Sequence, residues 1–125
     1  MGPEFLAPHA GGYSQAVTVP AGGRFVYVAG QVAMDEDGSV PEGWEQQTRL
    51  TFENVGRTLA LAGATWSDVI KTSYYVVDVA ELELIRAIRN EYIDTARPPT
   101  STLIQVAGLF RPGFLIEIDA VAWLP

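Results

Sequence analysis

Two stretches with helical periodicity constrain the fold of this chain more than any other feature. Within residues 44–62, apolar and small side chains recur at steps of three and four, and Gly63 follows them, which predicts a one-faced helix that ends there. A second stripe consists of Leu82, Ile85, Ile88 and Tyr92. A capping-box pattern at residues 78–81 precedes this stripe, and Pro98 and Pro99 prevent its continuation. Both helices must bury their apolar stripe against another element.

Five segments with strand patterns surround these helices. They are residues 13–19, 24–30, 69–77, 102–108 and 115–123. The order strand, strand, helix, strand, helix, strand, strand predicts an α/β (α+β) domain in which a mixed sheet carries both helices on one face. Residues 1–12 are predicted to form an N-terminal arm, with residues 1–5 a cloning remnant, and residues 13–125 a single domain.

The last strand pattern predicts that the helix-free face of the sheet is not purely polar. Small and aliphatic side chains alternate with a mixed set of apolar and acidic ones. The side chains expected to face the helices are Ile116, Ile118, Ala120 and Ala122. The opposite face then carries Leu115, Glu117, Asp119, Val121 and Trp123. An uncovered face with this much apolar surface is expected to meet another copy of the chain, with pockets between the copies.

Composition argues against several classes of function. The net charge of −7, with 15 acidic against 8 basic residues and no cluster of lysine or arginine, argues against nucleic-acid binding. There is no cysteine and only one histidine, His9, so we expect no metal site, no cofactor and no histidine-based catalytic triad. No apolar run approaches the roughly 18 residues of a membrane span, and no signal-peptide pattern is present. The expected location is therefore cytoplasmic, without a membrane partner.

Four segments, in this order and spacing, resemble the YjgF/YER057c/UK114 family, also called the Rid family. They are GGYSQAV at 11–17, VYVAGQVAMDEDG at 26–38, TFENVGRTLALAGATWSDVIKTSYYVVD at 51–78 and LIEIDAVA at 115–122. The best-known members are reactive-intermediate imine deaminases, and an older name is L-PSP endoribonuclease. The resemblance implies a chorismate-mutase-like fold with a six-stranded mixed sheet and two helices on one face. It also implies a homotrimer around a central barrel, with ligand clefts between subunits.

The resemblance also implies which residues form the site. The N-terminal tyrosine of the deaminases matches Tyr13, and their Ser-Gly-Gln turn matches Ala29, Gly30 and Gln31. The glutamate that positions the attacking water matches Glu117. These residues are therefore expected to bind substrate, with Glu117 as the catalytic carboxylate.

The arginine that holds the substrate carboxylate in the deaminases falls on Ser101, so the chain is similar to arginine-lacking Rid subgroups. A serine hydroxyl cannot neutralise a carboxylate, and losing such a cation costs about 2–5 kcal/mol of binding. Activity on 2-imino acids is therefore expected to be poor. Ser101 and Thr102 remain candidate hydrogen-bonding groups for a ligand.

Four other arginines are candidates to replace the missing cation, namely Arg86, Arg89, Arg97 and Arg111. Arg86 is the preferred one, because it falls near a position that is often asparagine in the deaminases. An alternative for all four is solvation, or pairing with a neighbouring glutamate.

The resemblance and these residues together imply hydrolysis of an imine, an enamine or a related C–N bond in a small metabolite. Asp119, two positions after Glu117, would supply a like charge that makes Glu117 a better proton acceptor. Alternatively, the two acids face the interior of the trimer and bind water, Lys71 or an arginine. The alternative function is a non-catalytic trimer that binds a small molecule or acts like a chaperone. A ribonuclease fits the acidic charge and the lack of catalytic histidines poorly.

Overall fold

The computed structural model describes residues 1–125 and confirms a mixed α+β fold with two helices on a mixed sheet. The strands are β1 Glu4–His9, β2 Tyr13–Thr18, β3 Arg24–Val32, β4 Val69–Val76, β5 Thr100–Gln105 and β6 Ile116–Leu124. The helices are α1 Trp44–Leu61 and α2 Leu82–Arg89. Strand β5 begins and ends earlier than the strand predicted at residues 102–108. Helix α2 ends before Tyr92, which the predicted apolar stripe included. Neither helix is long and apolar enough to cross a membrane.

The six strands divide into two sheets, not the single six-stranded sheet expected. Four form a mixed sheet in the order β3-β6-β4-β5, in which only β4 and β5 are parallel. Strands β1 and β2 form a separate antiparallel hairpin. The hairpin meets the sheet where Ser14 donates to the carbonyls of Pro98 and Pro99, at 2.7 Å from Oγ and 3.1 Å from N. Because proline has no N–H, this contact cannot extend into a strand ladder.

Residues 1–12, predicted as an arm outside the fold, instead contain β1. This strand pairs along β2, and the Arg97 guanidinium lies 4.8 Å from the centroid of the Phe5 ring. The loop between the two strands contains Gly12 at φ 90°, a left-handed value that favours glycine. Most β1 side chains are exposed, so no apolar pattern marks the strand in the sequence. Its partner β2 supplies the pairing that orders it.

The core lies between the two helices and one face of the four-stranded sheet. As the alternation predicted, the β6 side chains buried against the helices are Ile116, Ile118, Ala120 and Ala122. The helices contribute Phe52, Val55, Leu59, Ile85 and Ile88. The opposite, helix-free face leaves Phe25 and Tyr27 49% and 77% exposed. We call it the open face, and it carries apolar surface without a partner in the single chain.

Gln47 is a buried amide that ties α1 to the segment before β6. Its Nε2 donates to the carbonyls of Pro41 and Gly113 at 3.1 and 2.6 Å, and its Oε1 accepts from the N–H of Leu115 at 2.9 Å. We expect Gln47→Ala to lower the free energy of unfolding by about 1–3 kcal/mol, because it leaves backbone groups without partners. Denaturant unfolding against Gln46→Ala, its exposed neighbour, measures the difference. Equal stability of the two variants would contradict this role.

Candidate functional site

A cavity of about 160 Å³ lies between α2, β5 and the turn of the hairpin. Its lining consists of Gly11, Tyr13, Tyr74, Leu82, Ile85, Arg86, Arg89, Ser101 and Leu103. We call it the α2–β5 pocket. Strand register places Ser101 opposite Thr72, on the helix-covered side of the sheet. Three of the predicted site residues, Tyr13, Arg86 and Ser101, therefore come together here.

Arg89 places a buried positive charge in the wall of this pocket. The residue is 7% exposed, and its Nη2 donates to the carbonyl of Gly11 at 2.9 Å. Nε and Nη2 also donate to Oδ1 of Asn90, at 3.2 and 3.0 Å. None of the ion pairs in the structure involves Arg89. Burial lowers the pKa of Arg89 and repulsion from Arg86 acts in the same direction, so its charge is costly as the chain stands.

The other polar groups of the pocket differ in whether they have hydrogen-bond partners. The Tyr74 hydroxyl is buried without a hydrogen-bond partner, and burial raises the pKa of Tyr74, so it is a neutral donor. Arg86 is more exposed and donates to Glu83 at 3.2 Å. The Tyr13 ring stacks on His9 with centroids 4.9 Å apart. His9 thus supports the hairpin beside the pocket.

Glu117 lies on the open face, against a bulge in β3. The register of β3 on β6 shifts between Val28 and Gln31, which leaves Ala29 and Gly30 in the bulge. Gly30 lets the carboxylate lie directly on the backbone, since a Cβ there would stand 2.8 Å from Cδ of Glu117. Gln31 Nε2 donates to the carbonyl of Ala29 at 3.0 Å. The predicted residues Ala29, Gly30, Gln31 and Glu117 therefore also come together; we call them the Glu117 cluster.

A surface groove of about 400 Å³ runs beside this cluster and contains residues that the sequence did not identify. Asn54 and Arg57 reach it from α1 and are hydrogen bonded to each other. Asn54 also donates to the carbonyls of Val32 and Met34 at 2.9 and 3.0 Å. Their spacing of three residues indicates a shared helix face. Nothing in the sequence shows that this face meets β3.

Neither carboxylate of β6 has a cationic partner. Tyr75 donates to Oδ2 of Asp119 at 3.1 Å, and this hydrogen bond raises the pKa of Tyr75. Lys71 donates to Ser73 at 2.9 Å and forms no ion pair with Asp119 or Glu117. Glu117 is only partly exposed and is not engaged by a cation. Its oxygens are available to a water molecule or a ligand.

The α2–β5 pocket and the Glu117 cluster lie on opposite sides of the sheet. In β4, Thr72 is opposite Ser101 while Tyr75 is opposite Glu117. Residues three apart in a strand point to opposite faces, so Ser101 and Glu117 cannot contact one ligand within a single subunit. Thr102 is on the open face but on β5, with β4 between it and β6. It belongs to neither group.

The structure separates the four arginines that are candidate replacement cations. Arg86 and Arg89 line the α2–β5 pocket. Arg97 packs on the N-terminal strand instead. Arg111 lies over Phe114, 5.1 Å from the centroid of its ring. Only the two arginines of α2 are therefore near Ser101.

Comparison with known proteins gives a consistent set of relatives. Residues 5–124 match the family model described as endoribonuclease L-PSP. The RutC family protein slr0709 of Synechocystis is 35% identical over 122 residues, covering 92% of this chain and 88% of the relative. The 2-iminobutanoate/2-iminopropanoate deaminase of Rattus norvegicus is 35% identical over 119 residues, covering 93% and 83%.

Solved structures agree with these sequence matches. A Rid-family protein of unknown function, YyfB from Yersinia pestis, superposes with a TM-score of 0.85 at 34% identity, covering 99% of this chain and all of its own. TdcF of E. coli, crystallised with bound serine, gives a TM-score of 0.75 at 28% identity, covering 86% and 85%. The fold and the sequence matches therefore point to the same set of proteins.

Proposed function

Because the chain belongs to the YjgF/Rid family, we propose that it hydrolyses the C=N bond of a small imine, including an imine formed when a small enamine tautomerises, or a related C–N bond. Water adds to the carbon, the nitrogen takes up a proton, and ammonia leaves a carbonyl product. Relatives that are named deaminases support this reaction. The addition needs an oriented water and a proton acceptor, which a carboxylate can supply.

The observation that carries the proposal is the position of Glu117. Its carboxylate lies on the backbone at Gly30, without a cation to bind its oxygens. A water molecule held by this carboxylate would lose its proton to Glu117 as it attacks the substrate carbon. Glu117 would then return the proton to the leaving nitrogen.

The proposed active site lies between copies of the chain. A ligand that uses both the Glu117 cluster and the α2–β5 pocket must take them from different subunits, because they lie on opposite sides of the sheet. The exposed Phe25 and Tyr27 of the open face are the surface that a second copy would bury. These observations support assembly of copies, and the homotrimer with three clefts is the form of assembly that the family resemblance implies. Light scattering of the purified protein would measure the mass of the assembly.

Ammonia release from freshly generated imines tests the proposed reaction. The expected result is hydrolysis faster than the uncatalysed reaction in the same buffer. If no imine is hydrolysed above background while a small molecule still binds, the alternative of a non-catalytic binding trimer is favoured. A chaperone-like role would then be tested by suppression of aggregation.

Gly30→Ala tests whether the position of the Glu117 carboxylate matters. The added Cβ would overlap with Oε2 of Glu117, so the flexible carboxylate must move while the backbone can stay. We expect kcat for ammonia release to fall about 10- to 100-fold, because small displacements of a catalytic group are costly. The matched control is Gly108→Ala, where nothing lies within 4 Å of the added Cβ. An unchanged kcat in Gly30→Ala would show that this position is not used.

A further inference from the structure

His9 lies at the base of the hairpin turn that forms one wall of the α2–β5 pocket. It pairs with Tyr13 across the hairpin, so residues 10–12 form a short loop between the two strands. Gly11 in this loop and Tyr13 after it line the pocket, whereas His9 stands behind them. His9 is the only histidine of the chain, and neither the hydrophobic core nor the proposed water chemistry uses it.

Two contacts join His9 to the pocket wall. Its ring stacks on the Tyr13 ring at an interplanar angle of 19°, and its Nδ1 accepts from the N–H of Gly11 at 2.8 Å. The carbonyl of Gly11 accepts in turn from Nη2 of Arg89. Side chains of β1 and α2 therefore hold both backbone polar groups of Gly11. A Cβ at Gly11 would stand 3.1 Å from Nδ1 of His9 and 3.2 Å from Cε1 of Tyr13, so the loop backbone packs directly on both rings.

We propose that His9 is a positioning residue for the α2–β5 pocket, and that it holds Gly11 and Tyr13 in place only while its Nδ1 carries no proton. An imidazole nitrogen that accepts a hydrogen bond is unprotonated, so the ring that makes this contact is neutral. A second proton on the ring would occupy Nδ1 and break the bond from Gly11. As a determinant of turn geometry His9 stands alone, but as a determinant of substrate affinity it rests on the proposed function.

Acidification acts on this contact in one direction. Histidine gains its second proton between about pH 8 and about pH 5, where tyrosine and arginine do not ordinarily titrate. The titratable and charged groups that face the turn are Tyr13 from β2, and Arg86 and Arg89 from α2. Protonated His9 would point a donor at the N–H of Gly11 and add a third positive charge beside the two arginines. Substrate affinity is therefore expected to fall as the pH decreases.

NMR of the purified full chain between about pH 8 and about pH 5 tests the contact itself. The amide nitrogen of Gly11 and the ring protons of Tyr13 should shift together with the titration of the His9 ring. In His9→Asn the Gly11 amide should not follow the pH, because asparagine accepts from the N–H two residues on and does not titrate. A Gly11 amide that ignores the titration of His9, or a His9 ring that does not titrate in this range, would overturn the inference.

Steady-state ammonia release measures the consequence for substrate, with an imine freshly generated from leucine by an amino-acid oxidase. Between about pH 7.5 and about pH 5.5, KM should rise about 3- to 10-fold more in the wild-type chain than in His9→Asn. His9→Phe keeps a ring for stacking but has no acceptor, so its KM should be raised about 3- to 10-fold already at about pH 7.5. Changes in kcat should stay within about twofold, because Glu117 lies on the other side of the sheet. The matched control is Thr18→Ala, at the exposed far end of the hairpin, which should behave as the wild type.

Two kinetic results would also contradict the role of His9. One is a KM of His9→Phe equal to that of the wild type at about pH 7.5, and the other is the same pH dependence of KM in the wild type and in His9→Asn. Protonation of the imine itself affects all variants equally and cancels in these comparisons. A chain that releases no ammonia would refute the proposed reaction instead, and the NMR titration would still decide whether His9 holds the turn.

Discussion

Replacing Glu117 with glutamine is expected to reduce kcat for ammonia release by about 10²- to 10⁴-fold. Glutamine keeps nearly the shape of the side chain but cannot take a proton from water. Glu117 forms no ion pair, so the substitution leaves no cation without a partner. The fold and ligand binding should therefore survive, and the loss should be in the chemical step.

Asp119→Asn is the matched control for Glu117→Gln. Asp119 is on the same strand face but is engaged by the hydroxyl of Tyr75, so its replacement should cost less than about tenfold in kcat. Steady-state ammonia release by both variants, with denaturant unfolding as a check on the fold, separates the two acids. Similar losses in both would indicate a general effect of charge, and full activity of Glu117→Gln would remove Glu117 from the mechanism.

Phe52→Ala is expected to lower the free energy of unfolding by about 3–5 kcal/mol. Phe52 has no exposed surface, and its ring stacks on Tyr92 with centroids 4.9 Å apart. It also packs against Trp66 and Tyr74, at 5.2 and 6.1 Å. Truncation would leave a cavity where α1 meets the sheet. Against a typical total stability of about 5–15 kcal/mol, this is a large fraction.

Denaturant unfolding at a constant protein concentration measures this loss, since any assembly of copies adds to the apparent stability. The control is Leu61→Ala at the end of the same helix, where the side chain is 88% exposed. That variant should change the free energy of unfolding by less than about 0.5 kcal/mol. A loss below about 1 kcal/mol for Phe52→Ala would show that the aromatic cluster packs loosely.

Secondary structure was predictable where the side-chain pattern is local. Helix α1 was predicted to within one residue, because its stripe faces a continuous core. Helix α2 ends at Arg89 although Tyr92 continues the stripe, because Glu91 and Tyr92 donate to carbonyls three residues back and tighten the last turn. Strand β1 was missed because its mostly exposed side chains carry no periodic signal.

The candidate site was predictable only in part. The resemblance identified Tyr13, Arg86 and Ser101, and these do line one pocket. Arg89 is one of four candidate replacements in the sequence, among which the resemblance favours Arg86. Their contacts differ only through the tertiary structure, because Arg89 donates to the carbonyl of Gly11 in the hairpin turn whereas Arg86 donates to Glu83.

Local patterning by itself determined the α+β class and the placement of both helices on one face of a mixed sheet. These follow from the period of apolar side chains, which acts over a few neighbouring residues. Only the tertiary structure decided that Glu117 and Ser101 face opposite sides of that sheet, and that Arg89 is buried without an anion. Strand register, the β3 bulge and the approach of the hairpin depend on contacts between distant segments, such as Gly11 and Arg89, which are 78 positions apart.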